Sequence, residues 1–258
     1  MEYSTALFAS TTAEADQDGV QLEEILHVLE QNNSSDVEVK NALCKAVHFI
    51  ETGSSETWDR CFGRLLLLLL DIATDKVYAW KVVKKLVETQ RARAQMFFEL
   101  LLQRLVDAMN DQVDLARHLM ERILHDLVRN SSDKEQTLAT LVTLISSTEP
   151  PALQVVLCLI TLCLESCERG APEETDFLLK PDVANGVLGA LTRCLSHASS
   201  KARKNAVDCL VAYHFATKKD STVMNKYLSA ALDDNRRRLV GIFIDRANME
   251  RRHIGLSS

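Results

Sequence analysis

Apolar residues recur at three-and-four spacing from about residue 20 to residue 252, in segments that come as pairs. That period belongs to helices. "VQLEEILHVLE" (20–30) precedes "DVEVKNALCKAVHFIE" (36–51), and "SETWDRCFGRLLLLLLD" (55–71) precedes "DKVYAWKVVKKLVETQ" (75–90). "RARAQMFFELLLQRLVDAMN" (91–110) precedes "QVDLARHLMERILHDLVR" (112–129). The series continues with 132–147 and 150–166, then 181–197 and 200–215, then 221–232 and 235–252. Ser, Thr, Asp or Pro stands at helix starts, where capping and first-turn geometry favour them. First helices begin near 20, 55, 91, 132, 181 and 221, mostly about 35 to 41 residues apart. The longer step holds "CERGAPEETDFLLKPD", read as a loop carrying a short extra helix. Steps of this size are close to the HEAT-type period. The pattern predicts an all-α HEAT-repeat solenoid of about six helix pairs, each burying its face on its neighbours. The expected domain spans 20–252, with tails at 1–19 and 253–258.

Composition agrees with helices and opposes a many-stranded fold. Gly numbers only 8 and Pro only 4, too few for many tight turns. Six leucines in a row, Leu65 to Leu70, raise the question of a membrane span. Arg64 and Asp71 stop the run far short of the ~20 apolar residues a span needs. The acidic N-terminus, "MEYSTALFASTTAEADQDG", lacks the basic start and apolar core of a signal peptide. A chain of this kind is expected in the cytosol or nucleus. Trp58, Phe62, Leu65 and Leu69 fall on one helical stripe, which Leu66 and Leu70 widen. A helix apolar over most of its circumference is covered on several sides, so Trp58 is expected in the core.

No motif for chemistry emerges. There is no phosphate-binding loop, no GxSxG, no HExxH and no dinucleotide fingerprint. Of seven histidines, His118 and His125 share a helix face, but no further ligand completes a set there. Seven cysteines, Cys44, Cys61, Cys158, Cys163, Cys167, Cys194 and Cys209, sit in apolar runs with no CxxC pair. They read as reduced core thiols rather than a metal site. No enzyme activity, cofactor or metal is expected. The net charge of −6 hides an asymmetry. Residues 199–258 hold 12 Lys and Arg against 6 Asp and Glu, while the remainder holds 18 against 30. Lys201, Arg203 and Lys204 form one basic cluster, and Arg236, Arg237 and Arg238 another. Without an aromatic stacking platform these are weak for nucleic acid. Both clusters start the second helix of a pair, and Lys76 is placed in the same kind of position. In a stacked array such starts fall on one edge, where helix N-termini add positive potential. That edge either meets an acidic partner or is a solvated surface with local pairs such as Lys204 with Asp208.

Three segments resemble one family. "TWDRCFGRLLLLLLD" (57–71), "SSKARKNAVDCLVAYHF" (199–215) and "RRRLVGIFIDRA" (236–247) are similar, in order and spacing, to motifs of the C-terminal domain of CLASP proteins, the cytoplasmic linker-associated proteins. The resemblance covers essentially residues 20 to 252, with the stretch from 90 to 180 matching in pattern. It implies a TOG-like array of six HEAT repeats. It implies a non-enzymatic adaptor that recruits a microtubule regulator to kinetochores, growing microtubule ends and the cell cortex. The implied partners are CLIP-type plus-end linkers and kinetochore kinesins or other coiled-coil proteins. It further implies a fragment or a reduced relative of a longer protein. The alternative is a TOG domain that binds tubulin directly. Tubulin-gripping TOG domains carry an exposed Trp in the first intra-pair turn, whereas "QNNSSD" (31–36) has no aromatic residue.

Overall fold

The structure, a computed structural model, describes residues 18–31, 33–110, 113–217 and 220–255. The expected tails therefore lie outside the described residues, except that 18 and 19 open the first helix and 253–255 close the last. Among the described residues there are helices and no strands. The chain divides into two units between Leu127 and Val128.

The first unit holds α1 (18–30), α2 (Asp36–Thr52), α3 (Ser55–Asp75), α4 (Ala79–Thr89), α5 (Arg91–Met96), α6 (Phe98–Met109) and most of α7 (Asp114–Asn130). Helix α2 starts with a reciprocal cap. The Glu38 amide donates to Ser35 Oγ at 3.3 Å, and the Ser35 amide donates to Glu38 Oε2 at 2.7 Å. This satisfies two of the otherwise orphaned first-turn donors. Ser54 caps α3. On α3, Trp58, Phe62, Leu65, Leu66, Leu69 and Leu70 are all buried, while Leu67 faces solvent. The leucine run is thus a helix buried over most of its circumference, with α4 packed against it. Arg64 ties α3 to α1, donating to Glu30 and Glu23 at 2.7 to 3.1 Å. Arg93 ties α5 to α3 through Asp59 and Ser55.

The single helix expected over 91–110 is broken at Phe97, which adopts φ −108° and ψ 19° between α5 and α6. The break lets the Phe97 ring reach α3. It lies 5.6 Å from the Phe62 ring, and a methyl group added at Gly63 would come within 2.8 Å of it. Gly63 is the opening in α3 that admits this ring.

The second unit holds α8 (Lys134–Ile145), α9 (Ala152–Arg169), a 3-10 helix (Pro172–Leu179), α10 (Pro181–Cys194), α11 (Ser200–Ala216), α12 (Thr222–Ala231) and α13 (Asp234–Gly255). The first helices, α8, α10 and α12, pack side by side, and the second helices, α9, α11 and α13, form the other layer. This is the HEAT-type stack of helix pairs, and the short extra helix expected in the long step is the 3-10 turn. Tyr213, on α11, is fully buried and donates its hydroxyl to the Leu178 carbonyl at 2.5 Å. Arg251 fixes the far end of α13. Its guanidinium lies 3.6 Å from the Phe215 ring centre and pairs with Glu168 of α9.

The thiols depart from expectation. Cys163, Cys167, Cys194 and Cys209 are buried, but Cys44 and Cys158 are exposed and Cys61 is half-buried. An apolar run in sequence brings a cysteine to the core only when its turn of the helix faces inward. These three sit on outward or lateral turns.

Candidate partner-binding groove

Six of the seven predicted contact residues lie in the second unit, and Lys76 lies in the first. Lys76 does not start α4. It ends α3, its amide donating to the Ile72 carbonyl. Its Nζ donates to Asp36 Oδ1 at 2.5 Å. The same carboxylate takes the Tyr78 hydroxyl at 2.9 Å and Lys40 at 2.7 Å. Hydrogen bonds from Lys40, Lys76 and Tyr78 hold the Asp36 carboxyl well below the usual carboxylate range. Lys76 is therefore engaged by a residue 40 positions away, a pairing that local spacing does not reveal.

The two other clusters open adjacent helices. Ser199 caps α11, its Oγ accepting from the Ala202 amide. Asp233 caps α13, accepting from the Arg236 amide at 2.8 Å. With both starts fixed, Arg203 and Lys204 of α11 and Arg236 of α13 rim one hollow of about 400 Å³. Its floor is apolar, made by Leu195, Val207, Leu239, Val240 and Phe243. Arg203 is oriented by two carbonyls, donating to His197 O and Ala198 O at 2.8 Å each. Lys204 pairs with Asp208 at 2.9 Å, Arg236 with Asp233 at 3.4 Å, and Arg237 with Asp234. Lys201 and Arg238 are exposed and form no ion pair among the described residues. The paired cations are exposed and their partners are local, so these pairs hold the side chains only weakly.

The groove offers an apolar seat, a ring of cations and the positive ends of two helices. It can accept an apolar side chain flanked by carboxylates. It holds no group poised for acid–base or nucleophilic chemistry. Among the described residues no three His, Cys, Asp or Glu side chains converge as metal ligands. In the first unit, a hollow of about 750 Å³ beside α1 is lined by charges of both signs, and Arg64 there pairs with Glu23.

The rim was visible in sequence, and the floor was not. Leu239 to Ile244 form an aliphatic and aromatic run, broken only by Gly241, whose inward and outward members look alike. Only the packing of α13 on α11 separates buried Val240 from exposed Leu239 and Ile242. Trp58 and Trp80, the chain's two tryptophans, are both buried, each at 1% exposure.

No protein-family model matches the chain. Curated relatives do. The chain is 27% identical over 229 residues to CLIP-associating protein 1 of Xenopus tropicalis. It is 26% identical over the same length to CLIP-associating proteins 1-A and 1-B of Xenopus laevis. Each match takes in 87% of this chain and 15% of the relative, so the chain spans a small part of the proteins it matches. The resemblance carried by the tryptophan-leucine motif and the two basic helix starts agrees with these matches, and the chain is a sequence relative of the CLIP-associating proteins.

Proposed function

We propose that this chain is a non-enzymatic adaptor of a CLASP-type microtubule regulator, and that the α11–α13 groove receives its partner. The carrying observation is an apolar seat rimmed by Arg203, Lys204 and Arg236 on a relative of proteins named for associating with CLIP. The adaptor would bring a microtubule-stabilising protein to plus ends, kinetochores, the spindle or the cortex. Its partner would be a CLIP-type linker or a kinetochore kinesin-like coiled-coil protein. Lys201, Arg237 and Arg238 would steer that partner from outside the groove, and Lys76 would act through a separate surface of the first unit. Complementary charge mainly speeds encounter and fixes register. Nucleic acid and membrane insertion play no part in this reading. No described helix is long and apolar enough to cross a membrane.

Direct tubulin binding is the second reading, favoured by the match between a basic rim and an acidic protein surface. Against it stands the burial of both tryptophans, which leaves no exposed indole for a tubulin-gripping turn. Sedimentation velocity of the chain mixed with tubulin dimer, at low and moderate salt, separates the two. Independent sedimentation at both salts is expected, and a salt-sensitive complex would replace the adaptor reading with the tubulin one. The groove itself is tested with Lys204→Glu and Arg236→Glu together. Affinity for a CLIP-type linker should fall about tenfold and become less sensitive to salt. The melting temperature should move by no more than about 2 °C, because exposed ion pairs contribute little. Unchanged affinity would remove the groove from the function.

A further inference from the structure

We infer that the groove's occupant is an acidic amphipathic helix lying along α13, with one apolar anchor seated between α11 and α13. The inference rests on the adaptor reading and specifies the partner's chemistry.

The apolar floor does not end at the groove. Leu239, which lines it, is 47% exposed, and Ile242 and Met249 are 55% and 56% exposed on the same helix. Leu239, Ile242, Arg246 and Met249 follow one another at steps of three, four and three, which is a heptad seam. A seam on an α-helix is complementary to the seam of another α-helix, whose side chains drop between its own. An extended peptide has no such match, since the backbone of α13 offers no edge to pair with. Arg246 interrupts the apolar seam, but its head is drawn along the helix to Glu250 at 2.9 Å, and its stem can cover a neighbour. The seam spans eleven residues, about 15 Å, or three turns of a partner helix.

Charge chooses the partner. Helix α13 carries six arginines, at 236, 237, 238, 246, 251 and 252, against Asp234, Asp245 and Glu250. A second copy docking through this seam would set one surplus of arginine against another. An acidic helix would meet cations at both ends of the seam and on the groove rim.

The test uses the whole chain and three labelled peptides of about 18 residues. One has a Leu and Ile heptad seam flanked by Glu, one has Lys in place of Glu, and one has the acidic composition with its seam scrambled. Fluorescence anisotropy is expected to show the first binding at least about tenfold more tightly than the other two. Ile242→Asp, at an exposed position, should lower that affinity at least about fivefold with unchanged circular dichroism and melting. Equal binding of all three peptides, no binding of the first, or indifference to Ile242→Asp would overturn the inference. So would a concentration-dependent dimer, in sedimentation equilibrium, that Ile242→Asp abolishes. If a CLIP-type linker is weakened by the Lys204 and Arg236 reversals but not by Ile242→Asp, the adaptor groove stands and the helical seam falls. If the linker ignores all three changes, both fall.

Discussion

Replacing Trp58 by Ala should cost about 3–5 kcal/mol and lower the melting temperature by roughly 10 °C. The indole is buried on α3, with its ring centre 5.0 Å from Phe49 of α2 and 6.4 Å from Phe62. Truncation leaves a void among side chains that α2 and α4 hold in place, and such voids collapse only partly. The indole N–H adds a second, opposite effect. It is buried without a hydrogen-bond partner among the described residues, which is itself unfavourable. Trp58→Phe keeps most of the ring and removes that orphan donor. It should therefore cost less than half as much as the alanine change. Thermal denaturation followed by circular dichroism measures both. A Trp58→Ala protein that melts like the parent would make this tryptophan a surface anchor rather than core, and would reopen the tubulin reading.

Tyr213→Phe should lower stability at neutral pH by about 1–3 kcal/mol and remove this hydroxyl's share of the loss of stability in alkali, leaving the share of the buried Cys163, Cys194 and Cys209 thiols. At neutral pH the change removes the donor to the Leu178 carbonyl and leaves that buried acceptor without it. The alkaline effect has a definite sign. Burial pushes the Tyr213 hydroxyl up to about 12, from an ordinary value near 10. The folded state therefore favours the neutral phenol. Its contribution is complete below pH ~10 and is lost as pH rises from ~10 through ~12, by about 2–3 kcal/mol in total. Urea denaturation at pH 7 and at steps between ~10 and ~12 checks both arms. A parent protein and a Tyr213→Phe variant that lose stability in parallel above pH ~10 would show that this hydroxyl is not a buried titrating group.

Much of the fold was legible because the helical period is strong and turn residues are scarce. Helix starts expected at 55, 91 and 181 coincide with those of α3, α5 and α10, since Ser54 and Pro181 leave little choice at two of them. The break at Phe97 was not legible. Nothing in "RARAQMFFELL" opposes a continuous helix, and the Phe97 ring at the break packs over a glycine on α3, 34 residues earlier. Likewise the cation rim could be placed from two runs of Lys and Arg, because capped helix starts put them near a common end. The engagement of Lys76 by Asp36, and the apolar seam beside the rim, depend on which helix lies against which. Periodicity marks an apolar face but not the part of it that a neighbour covers.

The uneven burial of the thiols gives the second unit an internal clock for its own opening. Cys163 and Cys167 lie in α9, Cys194 in α10 and Cys209 in α11. Burial pushes the Cys194 and Cys209 thiols up, and the neighbouring Cys167, together with burial, raises that of Cys163. A thiolate forms and reacts at such positions only when the surrounding packing opens. Exposed Cys44 and Cys158 would be modified at once, marking the start of the record. The order in which the remaining thiols of the second unit yield to a small disulfide reagent would then read out, helix by helix, which layer of the stack loosens first.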